Sequence, residues 1–146
     1  MQGIMDASFY ADWWAQVFEW SPHLDLIAPQ DSMGANGNSF QNVSDYLGAM
    51  AAASHRVGRK IWSNVELFEV WPVNCSGTWS NCRGRHPAPI ERITAQMANE
   101  AAITSTLIAW EWHSCLSPHA QDLSYGDVIK QRYEEYKRYV HAPQVV

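Results

Sequence analysis

A chain of 146 residues, 47% hydrophobic and 17% charged, has room for one domain with a real core, and this balance excludes an intrinsically disordered segment. The formal net charge of -5, without any run of Lys or Arg, removes the positive footprint that a nucleic-acid or anionic-membrane surface requires. No apolar stretch is long enough to span a bilayer.

Met1 to Met5 lacks the basic start and apolar run of a signal peptide. Residues Ile4 to Ser8 read as the tail of a strand. Phe9, Trp13, Val17 and Trp20 then recur at helical spacing, with Asp6 or Ser8 as cap, and this helix stops at Ser21 and Pro22. Leu24 to Pro29 is an apolar run of strand length, and QDSMGANGNS after it is a loop. Its two glycines are too few, and wrongly spaced, for a dinucleotide site, so no cofactor is expected.

Helical periodicity returns with Val43, Leu47, Met50, Ser54 and Val57 on one side, and Gly58 stands where helices commonly end. Lys60 to Glu69, KIWSNVELFE, follows as a strand. Ile61, Ser63, Val65 and Leu67 share one face, while Trp62, Asn64 and Glu66 share the other, which ends in a carboxylate. A long loop, Val70 to Ala88, exceeds a plain connection and so reads as functional. Within it Cys75 and Cys82 could close a small disulfide in an oxidising compartment, leaving Cys115 over, against three thiols in a cytosolic protein. A secreted or periplasmic location is the favoured of the two. The Cys75/Cys82 spacing and the pair His113 and His119 match no usual zinc pattern, so no metal is expected.

Pro89 opens the next helix, with Ile90, Ile93, Met97 and Ala101 as its buried stripe. Ser105 to Trp112 is a strand with Leu107, Ala109, Glu111 and His113 on one face and Ile108, Trp110 and Trp112 on the other. A last helix, Tyr125 to Val140, groups Val128, Tyr136 and Tyr139 and exposes Lys130, Glu134, Glu135, Lys137 and Arg138. Strand and helix in alternation imply parallel strands joined by crossovers. The expected fold class is therefore α/β: a single domain over residues 1–146 forming a (β/α)4-like half of a (β/α)8 TIM-like barrel. A whole barrel typically needs ~250 residues. A homodimer would complete the ring, or the half-sheet stays open, or the chain is an inactive fragment of a longer barrel; an open doubly wound sheet is the structural alternative.

DLIAPQDSMG (Asp25 to Gly34), IWSNVELFE (Ile61 to Glu69), APIERITAQM (Ala88 to Met97) and IAWEWHSCLSP (Ile108 to Pro118), with the late YEEYKRY, occur in one order and spacing. Together they resemble the C-terminal half of a family known as domain of unknown function 4434, within the TIM-barrel glycoside-hydrolase superfamily. The resemblance implies a glycosidase-like barrel and carries over no catalytic residues. The N-terminal half of that barrel is absent from the resemblance.

The residues themselves point to Glu66 and Glu111. Both fall late in their strands, and neighbouring strands lie ~4.8 Å apart, so the two carboxylates could stand at the separation that glycoside hydrolysis uses. Gln30 or Asp31 ends the preceding strand, and Asn64 and His113 share faces with the glutamates, which suits them to sugar hydroxyls or to tuning a carboxyl. Glu69 is a substitute for Glu66. Trp62 reads equally as sugar platform or core plug, whereas Trp71 and Trp79, in the long loop, read as ligand contacts. Against this, each glutamate could simply accept loop amides or pair with Arg83 or Arg85, and His113 could be a satisfied structural histidine. The expected partner is a carbohydrate, met either by a glycosidase or by a non-catalytic binding module.

Overall fold

The computed structural model describes residues 6–70, 85–119 and 126–142. In chain order its elements are α1 (Ala7–Trp20), β1 (Leu26–Ile27), α2 (Met33–Asn36), α3 (Phe40–Arg56), β2 (Lys60–Ile61), β3 (Ser63–Glu66), β4 (Phe68–Val70), β5 (Arg85–Pro87), α4 (Ile90–Ala101), β6 (Leu107–Trp110), α5 (Trp112–Cys115) and α6 (Gly126–His141). The architecture is mixed α/β with short parallel strand pairs.

The centre is the run from Lys60 to Glu66. On one side β2 pairs with β1 in parallel, and the pairing extends to a bridge between Gln30 and Asn64. On the other side β3 pairs with β6 in parallel, matching Ser63 with Leu107, Asn64 with Ile108, Val65 with Ala109 and Glu66 with Trp110. Backbone bonds alternate accordingly: Trp62 and Asn64 donate to Ile27 and Pro29 at 2.9 and 3.0 Å, while Ser63 donates to Thr106 at 3.1 Å. The period-two reading holds, since Ile61, Ser63, Val65 and Leu67 are all buried.

α3 behaves as its spacing dictates. Ser39 caps it by accepting from Asn42 N at 3.1 Å, and Val43, Leu47, Met50 and Ser54 face inward. Gly58 takes the left-handed φ of +69° that turns the chain into β2. Leu47, Met50, Ala51 and Ile61 form one core, with Tyr10, Trp14, Ile27 and Ile103 against it. A second core of Val65, Leu67, Phe68, Ala88, Ile93, Cys115 and Leu116 lies around β3 and α4.

Several expectations are corrected. Ala7 and Ser8 are helical rather than extended, because the Asp6 carboxylate accepts from Ser8 N at 2.8 Å and caps α1. The buried stripe of α1 is also the other one: Ala11 and Phe18 face inward, while Phe9, Trp13 and Trp20 are 58%, 45% and 73% exposed. The small Ala11 and the edge contact of Tyr10 with Tyr46, 5.6 Å between ring centres, suit the α3 surface. Part of the Gly-rich segment is the helical turn α2, and the strand after Glu66 is a separate piece, β4, paired antiparallel with β5 where only loop was expected.

In α4 the inward residues are Ile93, Gln96 and Glu100, and Ala101 is exposed. β6 ends at Trp110, so Trp112 and His113 belong to a helical turn and the alternation that grouped Glu111 with His113 stops there. In α6 the buried anchor is Ile129, not Val128, which is 39% exposed; Glu135 and Lys137 are half-buried. Cys75, Cys82 and Arg83 lie outside the described residues, as does the side chain of Arg85.

The α1 correction has a direct test. Phe18→Ala should destabilise the protein by about 3–5 kcal/mol through the cavity it leaves. Trp20→Ala should cost no more than about 0.5 kcal/mol. Urea unfolding followed by circular dichroism compares the two, and equal losses would mean that the stripe containing Trp20 is the packed one.

Candidate functional site

The polar end of the central run gathers residues from three segments. Glu66, the last residue of β3, is 2% exposed, and its Oε2 accepts the backbone N–H of Ala35 at 2.6 Å. Ala35 can reach it because Gly34 has no side chain: a Cβ there would lie 2.1 Å from the Phe68 carbonyl oxygen and 3.1 Å from Glu66 Oε2. Ser32, just before α2, takes a left-handed φ of 56°, a conformation that costs of order 1 kcal/mol and persists only where its surroundings enforce it.

Asp31 provides that enforcement. It is 7% exposed, and its Oδ1 accepts from Met33 N at 3.0 Å. Its Oδ2 accepts from Glu66 N at 3.2 Å and from Gln96 Nε2. Its own N–H donates to the Asn64 carbonyl, and its carbonyl accepts from Asn38 Nδ2 at 2.9 Å. The carboxylate expected to meet substrate is thus occupied with protein donors.

Behind Asp31 lies a polar group on α4 that the sequence reading passed over. Gln96 and Glu100 are both fully buried. Gln96 Oε1 accepts from Arg92 Nη1, and Arg92 also donates to the Phe68 carbonyl at 2.8 Å and forms a 3.5 Å ion pair with Glu69. The Glu100 carboxyl makes no aligned hydrogen bond among the described residues but sits close to Ser63, Gln96 and Asp31. Burial pushes its pKa up to about 8; Ser63 and Gln96 pull it partly back, while Asp31 pushes it further up. Glu100 is therefore mainly protonated at neutral pH. The available signal was spacing, since Gln96 and Glu100 fall on the same helical face as Ile93.

The remaining expected residues separate. Gln30 is exposed and bridges to Asn64, which is half-buried with Oδ1 unpartnered among the described residues. Trp62 is half-buried on the alternate position two residues before. Glu69 lies on β4 opposite His86; burial lowers the His86 pKa, against Glu69, which raises it, and with Arg132, which lowers it further. Glu111 follows directly on β6 and is the N-cap residue of α5, half-buried. The side chain of His113, and the whole of Trp71 and Trp79, lie outside the described residues. A residue not singled out, Trp110, is 43% exposed and in register with Glu66. Only the register could have revealed it.

A cleft of about 70 Å³ lies against the opposite face of β3 and β6, lined by Val65, Leu67, Leu107, Ala109 and Tyr136 among others. It is apolar and separate from the Glu66 cluster. Among the described residues no group of three His, Cys, Asp or Glu is placed to hold a metal ion, and no helix is long and apolar enough to cross a membrane.

Two outcomes follow from this geometry. Gly34→Ala should push α2 off β4 and cost about 1–3 kcal/mol, read by urea unfolding; an unchanged midpoint would show that the approach is looser. Glu100, whose folded pKa of about 8 exceeds its ordinary 4.5, binds an extra proton in the folded state. Its contribution is therefore complete below about pH 4.5 and is lost as pH rises through 8. Glu100→Gln should flatten the decline of Tm over that range and raise Tm at pH 8 by a few °C, at about 2–4 °C per kcal/mol. Parallel Tm curves for the two proteins would contradict it.

Comparison with known proteins places the chain. No curated protein matches it. Among solved structures it is similar to one described as a "putative alpha-L-fucosidase" from Bacteroides thetaiotaomicron VPI-5482, with a TM-score of 0.70 and 16% sequence identity; the match covers 93% of this chain and 39% of that one. At this identity the likeness is one of fold, and the chain spans about two fifths of that protein's length. The sequence profile of the family described as Domain of unknown function (DUF4434) matches residues 1–122. Those residues are most of the chain, and the protein belongs to that family.

Proposed function

We propose that the chain carries part of a glycoside-hydrolase site, with Glu66 and Glu111 as the paired carboxylates. The observation that supports it best is that Glu66 ends β3 and Glu111 stands just past β6 at the same end of this parallel pair, as the N-cap of α5, where strand alternation no longer fixes its direction. Two carboxyl groups at the same end of adjacent parallel strands can flank one glycosidic bond, one protonating the leaving oxygen while the other attacks the anomeric carbon or activates water. Glu66, which accepts a backbone amide, suits the nucleophile or base; Glu111, at the strand end, suits the acid. Trp110 and Trp62 offer flat apolar faces for a pyranose ring, and Gln30 and Asn64 offer amides for its hydroxyls. The fold likeness to a protein described as a fucosidase makes a carbohydrate the favoured partner.

On this reading residues 1–146 are one (β/α)4-like domain, half of a (β/α)8 barrel, and a second copy or further chain supplies the rest of the hollow. The exposed β6 agrees with that, because Ile108 and Trp110 remain 37% and 43% uncovered. One observation favours a non-catalytic carbohydrate-binding module instead: Glu66 is buried and already holds a loop amide.

A panel of 4-nitrophenyl glycosides, α-L-fucoside included, separates the two. Glycosidase action predicts nitrophenol release that falls about 10²–10⁴-fold in Glu66→Gln and in Glu111→Gln, with circular dichroism unchanged, since glutamine keeps an acceptor for Ala35. Full rates in both variants would end the carboxylate assignment. The binding module predicts no release but a saturable change in Trp fluorescence with saccharide, weakened in Trp62→Ala.

A further inference from the structure

Residues of α4 complete the circuit around Glu66. The Gln96 amide lies between an anion and a cation: its Nε2 donates to Asp31 Oδ2 and its Oε1 accepts from Arg92 Nη1. Only one orientation of the amide satisfies both, and Arg92 is itself held by the Phe68 carbonyl and Glu69. Asp31 passes the constraint on through two oxygens. One takes the N–H of Glu66, and the other takes the N–H of Met33, which opens the turn whose Ala35 N–H reaches Glu66 Oε2. Both the backbone and the carboxylate of Glu66 are thereby tied, through Asp31, to Gln96 of α4.

We infer that Gln96 is a positioning residue for Glu66, acting through Asp31. Its catalytic consequence rests on the reading of Glu66 as a reacting carboxylate; its geometric consequence does not. An amide suits the position better than either neighbour in size. A carboxylate at 96 would face the Asp31 anion, and a methionine would leave Asp31 Oδ2 without its side-chain donor and Arg92 without one acceptor. Glu100, one turn further along, is buried, and its burial favours the protonated form.

The test uses the whole chain with Gln96→Met, which keeps length and volume, and with Asp31→Asn, which alters the same node. Amide hydrogen exchange is read at Ala35, Met33 and Glu66, with Leu47 and Met50 of α3 as internal controls. Kinetics are read on whichever 4-nitrophenyl glycoside the wild type cleaves fastest. The expected result is at least about 10-fold faster exchange at Ala35 and Met33 with the α3 amides unchanged. With it should come a loss in kcat of about 10²-fold at a nearly constant KM, as for a displaced reacting group. Unchanged Ala35 exchange, or equal acceleration in α3, would overturn the positioning role. If the wild type cleaves no glycoside, or Glu66→Gln keeps the full rate, the catalytic reading fails, and the exchange data still decide whether Gln96 holds Glu66 in place.

Discussion

The structure depends on a single buried carboxylate. Asp31 stands where the chain leaves β1, and its side chain receives donors from the turn that follows it, from the last residue of β3 and from the middle of α4. A buried anion with fewer donors would be strongly destabilising, because nothing would replace the water it gave up. Satisfied as it is, it ties the turn at Met33 to Glu66 and Gln96, which lie 35 and 65 residues further along the chain, and the unusual backbone of Ser32 becomes tolerable.

The central strand makes that lock useful. Its first half pairs with β1 and its second half with β6, and its two faces do different work. One face builds the cores through Ile61, Val65 and Leu67. The other ends in a carboxylate that accepts the Ala35 N–H of the adjacent loop, with Arg92 close by on Glu69, Gln96 and the Phe68 carbonyl.

Membership of a family without an assigned activity leaves function to be argued from the site. The fold likeness accounts for the parallel strands and their connecting helices; the specific claims about glutamates come from register and hydrogen bonds. Ile108 and Trp110 of β6 and Phe9, Trp13 and Trp20 of α1 remain exposed on the sides turned away from β3 and α3, and the chain spans about two fifths of the structure it resembles.

Periodicity alone determined which side chains of Ile61 to Leu67 and of Val43 to Ser54 turn inward, because alternation and helical spacing are properties of the local backbone. The turn at Gly58 was equally local. Sequence could not choose between the two aromatic stripes of α1, since both are apolar and only the shape of α3 discriminates. Spacing with Ile93 places Gln96 and Glu100 on the inward face, but a polarity rule sends them to solvent, and only their neighbours make them tolerable inside. Tertiary structure decided that Trp110 stands beside Glu66 and that Asp31 accepts from Gln96 of α4, because strand register and buried hydrogen bonds join residues that no local pattern connects.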